Sequence, residues 1–170
     1  MKIEAFMRIT FIFFIITVFP IFSKGKFASS YTDFAKDCKG DPSVRDGDIP
    51  QICKGPARFT LYITYSACSE FIRILDKKKK EILSLPEQTI GSSDKKKLEW
   101  RILDGRPIAV IYRISIYEES SDDPCTRKKK KEELGVYGIG KYSDLSKTVS
   151  GKNENEKARQ TADEFILGKK

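Results

Sequence analysis

Apolar residues occupy every other position on both sides of an Asp-Gly pair at 104–105. The first series is Leu98, Trp100 and Ile102, and the second is Ile108, Val110, Tyr112, Ile114 and Ile116. Asp-Gly between alternating runs is one of the strongest local signals for a β-hairpin. We therefore predict a hairpin over 98–117, with Trp100 in its core and its ring facing Tyr112 or Ile114.

Three further segments have the composition of strands. Residues 59–66 alternate in the same way and predict a half-buried strand. The apolar run at 70–76 predicts a second strand, although its spacing also suits one face of a helix. Residues 134–142 predict another strand, and the three glycines within it suggest a bulge or a close backbone contact.

The period changes near the C-terminus. Ala158, Ala162 and Phe165 follow one another at helical spacing and predict an amphipathic helix over 154–167. Asn153 precedes this helix with a glutamate three residues later, which resembles a capping box. Strands followed by a helix, without β-α-β alternation, favour an α+β domain. We expect an antiparallel sheet of about four to five strands with a C-terminal helix.

The N-terminus has the pattern of a secretory signal peptide. Lys2 and Arg8 precede an uncharged run over 9–22, and small residues follow that run. The run is shorter than the roughly 20 apolar residues that cross a bilayer. We therefore expect a signal peptide over 1–25, cut after Gly25 or as late as Ser30. The mature protein would be secreted or periplasmic, without a stable membrane span.

The remaining chain is interpreted as one domain in two parts. Residues 26–56 are rich in turn-forming residues and predict an irregular, cysteine-containing segment. Residues 57–170 hold the predicted sheet and helix. The chain has 170 residues in all, which suits a single domain.

Four cysteines follow the predicted signal peptide, namely Cys38, Cys53, Cys68 and Cys125. An even number of cysteines in an oxidising compartment predicts two disulfides. Three pairings are open, and we favour Cys38–Cys53 with Cys68–Cys125 because the first closes a short turn-rich loop. Zinc is disfavoured because the chain has neither a Cys-x-x-Cys motif nor any histidine. No metal or other cofactor is expected.

The chain carries a net charge of +8 at pH 7, and much of it is concentrated in three lysine clusters. The clusters are Lys77, Lys78, Lys79 and Lys80; Lys95, Lys96 and Lys97; and Lys128, Lys129, Lys130 and Lys131. Lysines in hairpin loops are usually solvated charge. If the clusters converge, they would instead form an anion-binding surface. Export argues against nucleic acid as the ligand.

Several segments together resemble small exported bacterial proteins of uncharacterised function. The resemblance rests on Cys53-Lys-Gly-Pro, Leu98-Glu-Trp-Arg, the hairpin strand from Gly105 to Arg113, and Asn153 to Arg159. It implies a bacterial envelope setting, but no activity and no catalytic residues. The lysine insertions depart from that group, so the resemblance assigns them no role.

Catalytic motifs are largely missing. Without histidine there is no Ser-His-Asp or Cys-His machinery, and the sequence has no phosphate-binding glycine loop. The densest acidic cluster is Glu118, Glu119, Asp122 and Asp123. This cluster is typical of a polar loop or, at most, a weak calcium site.

Three functional hypotheses follow. The first is a non-enzymatic binding or inhibitory module of the bacterial envelope that recognises an envelope protein. The alternative is a lysine-rich adhesion module for anionic lipid or glycan. A hydrolase that uses paired carboxylates is the hypothesis the residues favour least.

Overall fold

The structure, a computed structural model, describes residues 25–45, 47–67, 69–89, 96–118 and 128–169. Its strands are β1 (Phe27–Asp33), β2 (Cys38–Gly40), β3 (Gln51–Lys54), β4 (Thr60–Ser66), β5 (Ser69–Leu75), β6 (Glu81–Ser84), β7 (Gln88–Thr89), β8 (Lys97–Leu103), β9 (Arg106–Tyr117), β10 (Lys129–Gly138) and β11 (Ser146–Val149). Its helices are α1 (Phe34–Asp37) and α2 (Glu154–Gly168). No helix in these ranges is long and apolar enough to cross a membrane. Apart from Gly25, the predicted signal peptide lies outside the described residues.

The strands form two antiparallel sheets rather than one. Sheet A has the order β1-β8-β9-β10-β11, and sheet B has the order β2-β3-β4-β5-β6, with β7 paired to β5. One face of sheet A packs on sheet B, and the opposite face carries α2. The predicted α+β fold class, with antiparallel strands and a C-terminal helix, is therefore confirmed. The run at 70–76 forms a strand, which excludes its helical alternative.

The predicted hairpin is β8–β9, and its register contains one bulge. Asp104 and Gly105 both have positive φ, of 49° and 78°, as a two-residue type I′ turn requires. The pairing shifts by one residue beyond the turn, because Ile102 pairs with Pro107 whereas Arg101 pairs with Ala109. A one-residue shift moves every side chain to the other face. The bulge therefore places the apolar residues of β8 and β9 on the same face.

Trp100 lies at the centre of the core between the sheets and has no exposed surface. Its partner on β9 is Val110, not the predicted Tyr112 or Ile114, and Tyr112 lies opposite Leu98 instead. Its aromatic neighbour is Phe59, with ring centroids 6.0 Å apart. The indole Nε1–H donates to the buried hydroxyl of Thr32 at 2.8 Å, so the polar end of the ring is satisfied.

Residues 26–56, predicted to be irregular, contain three strands and a single turn of helix. β1 is an edge strand of sheet A, and its mostly polar sequence shows no period-two alternation. Cys38 and Cys53 lie opposite each other on β2 and β3 and form the predicted disulfide. Cys68 and Cys125 lie outside the described residues, so their pairing stays a prediction.

Two local predictions near the C-terminus need correction. Asn153 has φ 59° and makes no capping hydrogen bond, so there is no capping box. Asn tolerates this left-handed conformation, which turns the chain into α2. β10 begins at Lys129 and ends at Gly138, so part of the third lysine cluster is strand rather than loop. A Cβ at Gly138 would lie 1.8 Å from the carbonyl oxygen of Tyr142, which confirms the close backbone contact.

Replacing Trp100 with Ala should lower the free energy of unfolding by about 3–5 kcal/mol, because it empties a fully buried site. Thr32→Val should cost about 1–3 kcal/mol by leaving the indole N–H without its acceptor. Urea unfolding would measure both, with the exposed Ile49→Ala as a control that changes little. Wild-type tryptophan emission typical of full exposure would contradict this placement.

The Cys38–Cys53 disulfide should contribute about 3 kcal/mol of stability, because it closes a loop with a sequence separation of 15. A variant with alanine at both positions should unfold at a correspondingly lower urea concentration. Mass spectrometry of a non-reduced digest should contain the peptide that joins the two cysteines. A peptide joining Cys53 to Cys125 instead would show that this pairing is wrong.

Candidate binding groove

A groove of about 320 Å³ opens on the face of sheet A that carries α2, beside the start of that helix. It exists because α2 covers only part of the face. The helix buries Ala158 and Ala162 against Ile111, Leu134 and neighbouring residues. The ends of β8, β9 and β10 that lie beyond the first turn of α2 have no helix above them. The polar side chains that line the groove include Tyr31, Lys97, Glu99, Arg113, Ser115, Glu132 and Asn155.

One wall of the groove is organised around the Glu99 carboxylate, which is 6% exposed. Its Oε1 accepts from the Ser29 hydroxyl at 2.5 Å and from Arg159 Nε at 2.7 Å. Its Oε2 accepts from Arg159 Nη2 at 3.1 Å and from the Tyr31 hydroxyl at 3.2 Å. The hydrogen bonds with Glu99 raise the pKa of Arg159 above its ordinary value. This network joins β1, β8 and α2 into one wall.

The opposite wall is organised around Arg113 on β9. Its Nη1 donates to Glu154 at 2.6 Å and to Glu132 at 3.2 Å, so it joins the first turn of α2 to β10. Lys97 also lines the groove, and its Nζ lies 3.4 Å from Asp33 Oδ2. The groove thus presents charges of both signs, and each of these charges has an opposite partner. Such walls can offer hydrogen bonds in fixed directions to a polar ligand.

A largely buried ion pair lies at the edge of the groove, and its Lys96, together with Tyr112, is among the residues that line the groove. Glu70 is 3% exposed, and its Oε1 accepts from Lys96 Nζ at 3.0 Å and from the Tyr112 hydroxyl at 2.7 Å. Burial and then the charge of Glu70 raise the pKa of Tyr65, its partner across β4 and β5, to about 12. Because Lys96 neutralises a buried carboxylate, its role here is structural.

The described lysines of the three clusters lie at two places in the fold. Lys77 to Lys80 form the turn after β5, seven residues beyond Glu70, which is about 20 Å along a strand. The second and third clusters lie at the end of sheet A where β8 and β10 begin. Among their members, Lys129 and Lys131 bind Glu132 and Glu133, each at 2.7 Å. Lys95 lies outside the described residues.

The sequence analysis did not identify the wall residues, although a signal for them exists. Glu99 and Arg101 are two residues apart and share one face of a strand. Arg159 and Asp163 are four residues apart and share one face of a helix. The charges of the two pairs are complementary, since Glu99 faces Arg159 and Arg101 faces Asp163. Arg101 donates from Nε at 2.7 Å and from Nη2 at 2.5 Å to the Asp163 carboxylate. Complementary charge pairs on predicted elements could therefore have indicated that these faces meet.

Neither a metal site nor a relative supplies a further indication of function. Within the described ranges, no group of three or more cysteine, aspartate or glutamate residues is arranged to hold a metal ion. Of the acidic cluster at 118–123, only Glu118 is described, so the paired-carboxylate hypothesis stays a prediction. No protein-family model, no curated protein and no solved structure matches the chain. The resemblance to exported bacterial proteins likewise stays a prediction.

Replacing Arg159 with Ala should lower the free energy of unfolding by about 1.5–3 kcal/mol, because it removes charged hydrogen bonds from the buried Glu99 carboxylate. Arg159→Lys should recover only part of this loss, since an ammonium group cannot form the two-pronged contact. Lys157→Ala, on the exposed side of the same helix, is the matched control. Urea unfolding would measure all three, and equal midpoints for the two alanine variants would contradict the network.

Proposed function

We propose that the protein is an exported, non-enzymatic binding module of the bacterial envelope, which takes a polar segment of another protein into the groove beside α2. The observation that carries this proposal is the open groove with its fixed charged walls. Ligand sites commonly have volumes of about 300–1,000 Å³. At about 320 Å³, the groove suits a few residues of a partner loop rather than a large ligand.

The charges of the groove favour a ligand with both donors and acceptors. Lys97, Arg113 and Glu132 are already held in ion pairs. A ligand with one strong charge would have to compete with these pairs. A polar peptide loop can instead bond to the remaining donor and acceptor sites without breaking them. A protein loop is therefore favoured over an anionic polymer as the occupant.

The rigidity of the walls supports a binding or inhibitory role. The wall residues lie on strands and on a helix, and several are held by bonds between these elements. Side chains that are ordered before binding lose less conformational entropy when a partner docks. A preorganised surface of this kind suits the recognition of one specific protein.

Adhesion to anionic lipid or glycan is the second candidate. It is favoured by the shared location of two lysine clusters at one end of sheet A. It is weakened by the ion pairs of Lys96, Lys129 and Lys131 and by the separate position of the first cluster. Electrostatic adhesion of this kind should weaken steeply with added salt.

Asn155→Trp should block the groove, because Asn155 is exposed and lines it at the start of α2. Immobilised mature protein should capture an envelope protein, and the amount of this protein retained by the Asn155→Trp variant should be at least tenfold lower. Lys157→Trp adds the same ring to an exposed position that does not line the groove, and it should capture as well as the wild type. Quantitative mass spectrometry of the retained proteins, with a photo-crosslinker at position 155, would measure this.

Equal capture by the two tryptophan variants would reject the groove as the binding site. Replacing Lys128 to Lys131 with Ser tests the second candidate in the same experiment. If those replacements abolish binding to anionic vesicles while groove variants do not, adhesion is the better account. If they change neither vesicle binding nor capture, the lysines serve solubility.

A further inference from the structure

We propose that an exporting signal peptidase cuts the chain after Gly25, and that the α-ammonium group released on Lys26 forms an ion pair with the carboxylate of Asp104. This processing site rests on the predicted signal peptide and goes beyond the proposed function. It does not depend on what the groove binds.

The contact between Lys26 and the β8–β9 turn is the first support. The backbone nitrogen of Lys26 donates to Asp104 Oδ1 at 2.8 Å, and the backbone nitrogen of Asp104 donates to the Lys26 carbonyl at 3.2 Å. The nitrogen that would become the new N-terminus thus already lies against a carboxylate. An ammonium group at the same position would keep this bond and add charge to it.

The position of β1 separates the two possible cuts. Ladder pairing starts at Phe27, which lies opposite Leu103, immediately after the proposed site. A cut after Ser30 would remove four of the seven residues of β1. It would also remove the Ser29 hydroxyl from Glu99 in the groove wall. Only the cut after Gly25 leaves β1 and the groove intact.

The residues at the cut fit both the protease and the fold. Ser23 and Gly25 are the small residues that signal peptidases require three positions before the cut and directly before it. In the uncut chain, a Cβ at Gly25 would lie 2.5 Å from Leu103 Cδ1 and 2.9 Å from Asp104 Oδ2. A side chain at position 25 would therefore require Leu103 and Asp104 to move, so the small residue directly before the cut also suits the folded chain.

The step is a simple hydrolysis. Water adds to the carbonyl carbon of Gly25, the bond from that carbon to the Lys26 nitrogen breaks, and Gly25 leaves as a carboxylate. The freed amine takes up a proton, because an α-amino group has an ordinary pKa of about 7.7–8.0. A hydrogen bond between an ammonium and a carboxylate is roughly twice as strong as one between neutral groups.

The cut position can be tested by the intact mass of the protein recovered from the envelope. The mass should correspond to a chain that begins at Lys26. In the precursor, Gly25→Leu should leave uncut protein, whereas Ala28→Leu, which alters the second possible exit at an exposed position, should still give a chain that begins at Lys26. A chain that begins at Tyr31, or one that retains residues 1–24, would overturn the proposal.

The ion pair can be tested separately with Asp104→Asn. Asn tolerates the positive φ of this turn position and keeps an oxygen acceptor, so the variant removes mainly the charge. In a chain that begins at Lys26, it should lower the unfolding temperature by about 2–4 °C. In a chain that retains Gly25, whose ammonium is one residue further away, the shift should be at most half as large. Equal shifts in the two chains would overturn the ion pair, and neither readout requires the groove to bind a partner.

Discussion

The β8–β9 hairpin is covered on both faces, and this double covering constrains the rest of the molecule. Its apolar face, with Trp100 at the centre, packs on sheet B, and this contact requires mainly that the side chains of the two sheets fit together in shape. Its other face carries Glu99 and Arg101 beneath α2. Charges cannot be buried without partners. α2 must therefore present Arg159 and Asp163 at the positions where those two strand residues lie. The orientation of the helix on the sheet follows from this requirement.

The core between the sheets follows the same rule on a smaller scale. The Trp100 indole has the Thr32 hydroxyl as its partner, and the Glu70 carboxylate has Lys96 and the Tyr112 hydroxyl. A buried ion pair adds little net stability, but removing one partner is costly. These bonds define which strand ends lie together. One consequence is that Lys96, from a conspicuous surface-type cluster, is largely buried and pairs with Glu70.

The groove results from the unequal lengths of the strands and the helix. β9 and β10 continue beyond the start of α2, and the uncovered part of the sheet is lined by charges that already serve the packing of the helix. β1 contributes to this arrangement through two sets of contacts. Its Tyr31 and Ser29 complete the groove wall, and the residue before it contacts the β8–β9 turn. The residue that precedes β1 and the wall of the groove are thus linked through one edge strand.

Strong local patterns were sufficient to predict several elements. The β8–β9 hairpin, the β4 strand and α2 follow from period and turn chemistry, since these depend on residues within a few positions of one another. The Cys38–Cys53 pair was favoured for the same reason, because it closes a short loop.

The remaining features depend on residues far apart in the chain. β1 has no regular pattern, and it is a strand because β8, some 70 positions later, pairs with it. The hairpin bulge, the division into two sheets and the groove walls likewise arise from contacts such as Ser29 with Glu99 and Glu99 with Arg159. By itself, the sequence determined the strongly patterned elements and favoured one disulfide that the structure contains. Only the tertiary structure decided which faces meet and which charges pair, because such contacts leave no periodic trace along the chain.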